Sequence, residues 1–500
     1  MDMKKFLPFI LAAFILTACQ EKSPTSGISL NCVSEEEFTY DNFPAEGGRL
    51  TFEVITRHAE VSYSSNRDWC SYESSTDADG SHMVTVIVER NTATEDRSAV
   101  FTVYGETGST LEQLALTIGQ SRSDKADAAS DLSAEGAANC YVINSAGTYL
   151  LDATVMGNGV PAGSFVPETI SPADAVLVWQ SEAGMITSVE LLGGDLVFEA
   201  SGAEGNALVA VTDEEGGILW SWHIWNPGMT LSALQSSDGY GVMNVNLGAL
   251  AVDFTADARY YGLLYQWGRK DPFPGSPTLT GTTSTMPVPV YDMDGAVVET
   301  GHSSYTSLDE NNIEYAISHP TVVISNQGQY LVSRDWLKSG SGNDGLWGDA
   351  SAKTCFDPCP PGWRVPDSEV FRHFTSSGSY AWNFYDFNVE DVNGDGVIDI
   401  DDYDYGWRFW LDRSAGVSSF FPAAARYDGS YAMLMGSVSG IWGSYWSSTP
   451  DTESAMGIEG MAHASISFST KNMDGTDMLT VAPGGSASRA DAYSVRCVRE

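Results

Sequence analysis

Apolar residues in this chain recur in short alternating runs, and long Ala/Leu/Glu/Lys tracts of the kind that build helices are absent. Leu50-Thr51-Phe52-Glu53-Val54, Val84-Thr85-Val86-Ile87-Val88 and Ala99-Val100-Phe101-Thr102-Val103 all repeat with period two. That period places alternate side chains on one face of a strand. Glycine (49), tyrosine (22) and tryptophan (14) are plentiful, which suits short strands joined by tight turns. Five hundred residues exceed one hydrophobic core, so three or four β-rich domains are expected.

The first nineteen residues set the compartment. Lys4 and Lys5 precede an apolar run from Phe6 to Leu16, and Leu16-Thr17-Ala18-Cys19 closes it. The run is too short to span a bilayer and has the layout of a secretory signal. The closing tetrapeptide resembles the lipobox of bacterial lipoproteins, which implies cleavage and lipidation at Cys19 and a location on the outer membrane or cell surface. Acyl chains add ~0.8 kcal/mol per buried CH₂, enough for a multiply acylated terminus to hold a membrane. A net charge of −41 argues against nucleic acid or an anionic membrane surface as partner, since both call for a basic face. With Cys19 set aside, six cysteines remain: Cys32, Cys70, Cys140, Cys355, Cys359 and Cys497. Export permits disulfides, but spacing alone leaves all fifteen pairings open.

Residues 20–27 read as a polar tether, and residues 28–121 as a β-sandwich of about ninety residues. Within it, Phe43-Pro44-Ala45-Glu46-Gly47-Gly48, Asp68-Trp69, Asn91 to Arg97, and Leu116-Thr117-Ile118-Gly119-Gln120 follow in order. This set resembles the BACON domain, an immunoglobulin-like module of lipoproteins and glycan-degrading enzymes. The family name implies carbohydrate binding, and a spacer role is the plainer expectation. Residues 122–138 read as a Ser/Ala/Asp-rich linker and residues 139–229 as a second sandwich. There the run from Ile218 to Trp225 is either an aromatic platform or a strand buried on both faces.

From 238 to 500 the texture becomes loop-rich. Leu263-Leu264-Tyr265-Gln266-Trp267-Gly268-Arg269, Asp357-Pro358-Cys359-Pro360-Pro361-Gly362-Trp363-Arg364-Val365-Pro366, Tyr445-Trp446-Ser447-Ser448 and Ser494-Val495-Arg496-Cys497-Val498 appear in sequence. Together they resemble the Fibrobacter succinogenes major paralogous domain, related to C-type-lectin-like and formylglycine-generating folds. The resemblance implies a Cys359–Cys497 disulfide, tying the last strand to the loop before a helix near Asp367 to Phe374. Closing so long a loop constrains the unfolded chain by ~4–5 kcal/mol in the entropic model. The fold class expected for the whole chain is therefore multidomain and β-rich: two immunoglobulin-like β-sandwiches followed by an α+β C-type-lectin-like domain.

The sharpest chemical signal is residues 391–402. Asp391, Asn393, Asp395, Asp399 and Asp402 fall at loop positions 1, 3, 5, 9 and 12, glycine is at 6, and the Val397 carbonyl is at 7. Calcium takes six to eight oxygens, and this spacing wraps a chain around one ion. Its role is expected to be structural, pinning an insertion in the lectin-like domain. The pattern resembles one dockerin loop, and a dockerin carries two, so a cohesin partner is not expected.

Catalysis is not expected. No His-Glu-x-x-His or Gly-x-Ser-x-Gly arrangement is present, and Cys359 and Cys497 are committed to structure by the resemblance. Candidate ligand contacts are loop aromatics and amides: Trp336, Asn343, Asp344, Trp347, Trp382, Trp407 and Trp442. An indole stacks on a sugar's apolar face while Asn and Asp bond its hydroxyls. The reading is a binding or adhesion module for a glycan or a host or neighbouring-cell ligand. A subunit binding a protein partner is the first rival, and a formylglycine-generating-like or glycan-active enzyme the second.

Overall fold

The computed structural model describes residues 20–22, 27–34, 36, 38–58, 60–76, 81–91, 93, 95–123, 129–280, 285–300, 309–341, 343–349, 352–452, 458–471 and 477–500. Cys19 and the rest of the leader lie outside the described residues. Two compact units divide the chain, Met1–Asp124 and Lys125–Glu500.

The first unit is a β-sandwich. Its strands are β1 (Gln20–Lys22), β2 (Ile28–Cys32), β3 (Gly48–Thr56), β4 (Glu60–Ser65), β5 (Cys70–Thr76), β6 (His82–Val88), β7 (Arg97–Thr107) and β8 (Thr110–Gln120). One sheet runs β1-β2-β3-β6-β5 and the other β4-β7-β8. Period-two patterning sorts the side chains: along β8, Leu114, Leu116 and Ile118 are buried while Gln113, Ala115 and Thr117 face out. Those three pack with Phe52, Val86 and Phe101 into the core. The tether expectation needs correction, because Gln20–Lys22 pairs antiparallel with β2.

The second unit overturns the boundary expected between 229 and 238. Its first strands are β9 (Ser130–Asp131), β10 (Cys140–Val142), β11 (Gly147–Asp152), β12 (Asp174–Gln180), β13 (Ile186–Leu192), β14 (Asp195–Ala200), β15 (Gly205–Thr212) and β16 (Ile218–Asn226). One sheet runs β13-β14-β11-β9, so Ser130–Asp131, expected to be linker, is part of the fold. The other runs β10-β16-β15-β12 and continues into Val290–Tyr291 and Val297–Val298, from the supposed next domain. The cause is visible in β15 and β16. Every residue of β15 is buried, and in β16 Trp220, Trp222, His223 and Trp225 are buried on both faces. A strand apolar on both sides requires cover on both sides. The second cover is the C-terminal region: Trp179, Trp220 and Trp225 share one core with Trp267, Trp336, Trp446 and Cys497.

Beyond β16, Leu264–Gln266 pairs with Ala492–Ser494. A large sheet assembles Trp442–Asp451, Met461–Lys471 and Asp477–Pro483 around that pairing. Among the described residues the α-helix is a single short one, α1 (Ile313–Ser318), capped by the Asn312 side chain, which accepts from the Tyr315 N–H at 2.7 Å. The helix expected near Asp367 to Phe374 is instead a turn ending in one 3₁₀ segment, Arg372–Phe374. Phe371 and Phe374 drive inward there, with Phe374 stacked on Phe409 at 4.2 Å between centroids, and Ser376-Ser377-Gly378 stops the helix. The architecture is thus β-rich throughout, with far less helix than an α+β head requires. No helix among the described residues is long and apolar enough to cross a membrane.

Candidate functional site

The motif Tyr265-Gln266-Trp267-Gly268-Arg269 is a structural spine. The carbonyls of Tyr265, Trp267 and Arg269 accept indole N–H groups from Trp446 (2.8 Å), Trp336 (2.7 Å) and Trp347 (3.1 Å). Gln266 lies between them, donating to the Ile324 and Ala490 carbonyls and accepting from the Ile324 N–H. Trp336 and Trp347 are 2% and 1% exposed, so their assignment as ligand contacts is corrected: burial of a large ring with its N–H satisfied makes them core. Trp407 is corrected by burial alone: the ring is fully buried against Tyr403, Phe384 and Phe387, and its indole N–H has no hydrogen-bond partner among the described residues. Trp442 is half-buried, donates to the Lys471 carbonyl at 2.7 Å and lies under the Arg426 guanidinium.

Cys359 and Cys497 are joined across 138 residues. Around them, Lys353 Nζ donates to the carbonyls of Cys359, Pro360 and Trp363 at 2.7–3.2 Å. Asp357, also buried, accepts the N–H groups of Cys359 and Val365. Cys32, Cys70, Cys140 and Cys355 are free thiols. Burial pushes Cys355 up to about 12, which leaves it protonated and unreactive.

Gly340, Ser341, Asn343 and Asp344 border a cleft of about 480 Å³. Its floor is Arg489, which stacks over Trp267 at 4.2 Å. Arg489 donates to Asp335 (3.2 Å), Asp344 (2.6 Å) and the Met461 carbonyl (2.9 Å). These bonds hold the guanidinium in one place, with 4% of its side chain exposed. Burial raises the Asp335 carboxyl above the ordinary range and Arg489 opposes that rise. The walls carry Asp344, Asp451, Glu459, Ser339 and Lys338. Glu459 accepts from the Ser339 hydroxyl (2.7 Å) and the Gly340 N–H (3.0 Å), fixing one rim. Gly460 turns that rim at φ +76°, and a Cβ there would lie 2.2 Å from the Asp335 nitrogen. Of the two expected polar contacts, Asp344 points into the cleft half-exposed. Asn343 is 8% exposed and its Oδ1 accepts from Ser164 at 2.7 Å, so that oxygen is already used. Sequence reading missed Arg489, Asp451 and Glu459, which come to the cleft from more than a hundred residues along the chain and have no local motif.

Trp382 is separate from the cleft lining and is 74% exposed. The loop 391–402 is closed by its own carboxylates. Asp391 accepts from the N–H groups of Gly394 and Gly396, Asp395 from Val397, Asp399 from Asp401, and Asp402 from Val392 and Asp399. Asn393 accepts from Asp395. All of these are hard oxygen donors of the class calcium prefers. In this conformation no three acidic, His or Cys side chains among the described residues gather as a metal-holding group.

In the first unit the motif residues knot one end of the sandwich. Gln120 donates to the Pro44, Ala45 and Glu89 carbonyls, and Arg97 donates to Gln120 and stacks on Trp69 at 4.2 Å. Residues 59–121 match the model of the BACON family, described as "putative binding domain, N-terminal". This segment is BACON-like by sequence as well as by sandwich. No curated protein matches the chain. Among solved structures, a Bacteroides ovatus GH5 xyloglucanase in complex with a XXXG heptasaccharide is similar at 24% identity, over 27% of this chain and 32% of that one, with a TM-score of 0.14. The chain thus spans about a third of that enzyme. Mouse clustered PcdhgC3 EC1-3 is similar at 11% identity, over 42% of this chain and 76% of that one, with a TM-score of 0.16. An endo-fucoidan hydrolase of glycoside hydrolase family 107, MfFcnA4, is similar at 9% identity over 41% and 29%, with a TM-score of 0.20. At these scores none of the three decides the fold or the function of any part of the chain.

Proposed function

We propose that the chain is an exported surface lipoprotein, anchored through Cys19, whose 125–500 unit is a lectin-like head binding a glycan in the Asp344–Arg489–Glu459 cleft. The observation that carries this reading is the cleft itself: a locked guanidinium floor under carboxylate, hydroxyl and ammonium groups. Sugar hydroxyls donate to carboxylates and accept from Arg and Lys, so such a lining matches a neutral polyol on both counts. The BACON-like unit acts as the spacer. The C-type-lectin-like kinship of the head rests on its four ordered motifs. Calcium would be held by Asp391, Asn393, Asp395, the Val397 carbonyl, Asp399 and Asp402 in a structural role, on the strength of their spacing.

The test is a glycan array probed with the mature chain from Gln20, with calcium and with chelator, alongside Asp344→Ala and Glu459→Ala. Binding to a defined sugar that both substitutions weaken supports the cleft. A folded sample that binds no glycan removes the reading. It would leave the protein-partner alternative, which Tyr330, Leu331 and Val332, exposed on the loop leading to Ser333 of the cleft, independently favour.

A further inference from the structure

The cleft has no open aromatic face, because Arg489 covers Trp267. An open face exists elsewhere on the second unit. The segment Tyr380-Ala381-Trp382-Asn383-Phe384-Tyr385-Asp386-Phe387 sorts its five rings into two sets. Phe384 and Phe387 turn inward onto Trp407 at 6.1 and 6.0 Å. Tyr380, Trp382 and Tyr385 turn outward and are 53%, 74% and 98% exposed.

The outward rings stand on a braced loop. Ala381 and Val481 exchange two backbone hydrogen bonds at 2.9 and 3.0 Å. Asn383 donates to Asp386 at 2.7 Å and Ser376 donates to the other Asp386 oxygen at 3.0 Å. The Tyr380 ring meets Trp382 edge-on at 82° and 5.5 Å, supporting the indole from one side. A large ring left in water forgoes the free energy of burial, and Trp382 does so while braced edge-on by Tyr380. Preorganised rings spare a ligand the ordering cost of binding.

We propose that Tyr380, Trp382 and Tyr385 form a second carbohydrate-contacting surface, one that stacks the pyranose rings of a neutral, extended polysaccharide. The choice of occupant follows from charge and chemistry. Asp386 beside the rings, on a chain of net charge −41, disfavours anionic lipid and nucleic acid. Indole and phenol faces take the apolar C–H face of a sugar, while the Tyr hydroxyls and Asp386 offer polar groups at the margin. The proposal rests on the glycan reading above and extends it from one sugar to a polymer gripped at two places.

The test is affinity electrophoresis of the mature chain from Gln20 through native gels carrying xyloglucan, mixed-linkage β-glucan, galactomannan or hydroxyethylcellulose. The panel is run against Trp382→Ala, Tyr385→Ala and Asp344→Ala. All three side chains are substantially exposed, so the substitutions leave the cores intact. At least one polymer is expected to retard the wild type, and Trp382→Ala to weaken that retardation about tenfold or more. If Asp344→Ala abolishes retardation while Trp382→Ala and Tyr385→Ala leave it unchanged, the second surface falls and the cleft reading stands. Loss with Trp382→Ala and not with Asp344→Ala supports the surface and removes the cleft. No retardation by any polymer overturns both. A concentration-dependent dimer that Trp382→Ala abolishes assigns the rings to a second copy and overturns the proposal.

Discussion

His223 makes the acid stability of the second unit depend on one imidazole. The ring is 1% exposed on a strand buried on both faces. Its Nε2 lies 2.9 Å from Asn206 Oδ1, and its Nδ1 lies 3.5 Å from the Tyr265 hydroxyl, so one nitrogen donates and the other accepts. That arrangement suits a neutral ring with no anion nearby, and burial lowers its pKa from 6.5 to about 3. The unfolded chain therefore binds a proton in the window between those values that the folded chain refuses. Stability from this group is fully present above pH 6.5 and is lost as the pH falls toward 3. Between about pH 7.5 and about pH 4 the loss amounts to about 3 kcal/mol. Urea unfolding at a series of pH values, read by tryptophan fluorescence, isolates it, because every tryptophan except Trp69 lies in the second unit. His223→Gln is expected to be less stable at neutral pH yet to show a pH slope flatter by that amount, with the carboxylates titrating equally in both proteins. Parallel curves for the two proteins would refute the argument that His223 is held neutral by burial.

Replacing Cys359 and Cys497 together by serine frees a loop of 138 residues, worth about 5 kcal/mol in the entropic account, and the urea midpoint of the second unit should fall accordingly. Trp336→Ala empties a core site and orphans the Trp267 carbonyl, so a loss of about 3–5 kcal/mol is expected by chemical denaturation, whereas Trp382→Ala should change the same midpoint by less than about 0.5 kcal/mol. Gly460→Ala drives a Cβ into the Asp335 backbone and should loosen the Arg489–Asp335 contact, detectable as lost sugar affinity. If the 391–402 loop holds calcium at about 10⁻⁴ M, about 1 mM of the ion adds about 1.4 kcal/mol of stability that chelator removes and Asp391→Ala abolishes; a thermal midpoint indifferent to both would sink the calcium assignment.

The first unit was legible because its strands bury one face: Leu114, Leu116 and Ile118 alternate with polar residues, and period two can be read directly. The 139–229 boundary was misread for the converse reason. β15 and β16 are apolar on both faces, and a continuous apolar run says that a strand is covered twice without naming what covers it. The loop tryptophans misled in the same way. Trp336 and Trp347 lie in a glycine-rich, polar stretch that looks exposed, yet their N–H groups answer carbonyls of the Tyr265–Arg269 spine some seventy residues away. Asp344 was found because it shares that loop, while Arg489 and Glu459 reach the cleft only through sheet topology, which no local pattern encodes.

The strand Val498–Arg499 lies between Gly241–Met243 and Trp363–Arg364 in its sheet, and Ala492–Ser494 lies between Leu264–Gln266 and Trp442–Asp451 in another. Two of the sheets of the second unit are therefore completed by residues made long after their neighbours. During synthesis, the first unit has all of its described strands once residue 120 has emerged, whereas the second holds open seams until residue 499 is available. Closure of these two sheets and formation of the Cys359–Cys497 bond therefore all wait on the last ten residues of the chain. Truncation by as few as ten residues would remove the latch and leave Leu264–Gln266 and Gly241–Met243 as unpaired edges for proteases and chaperones to recognise.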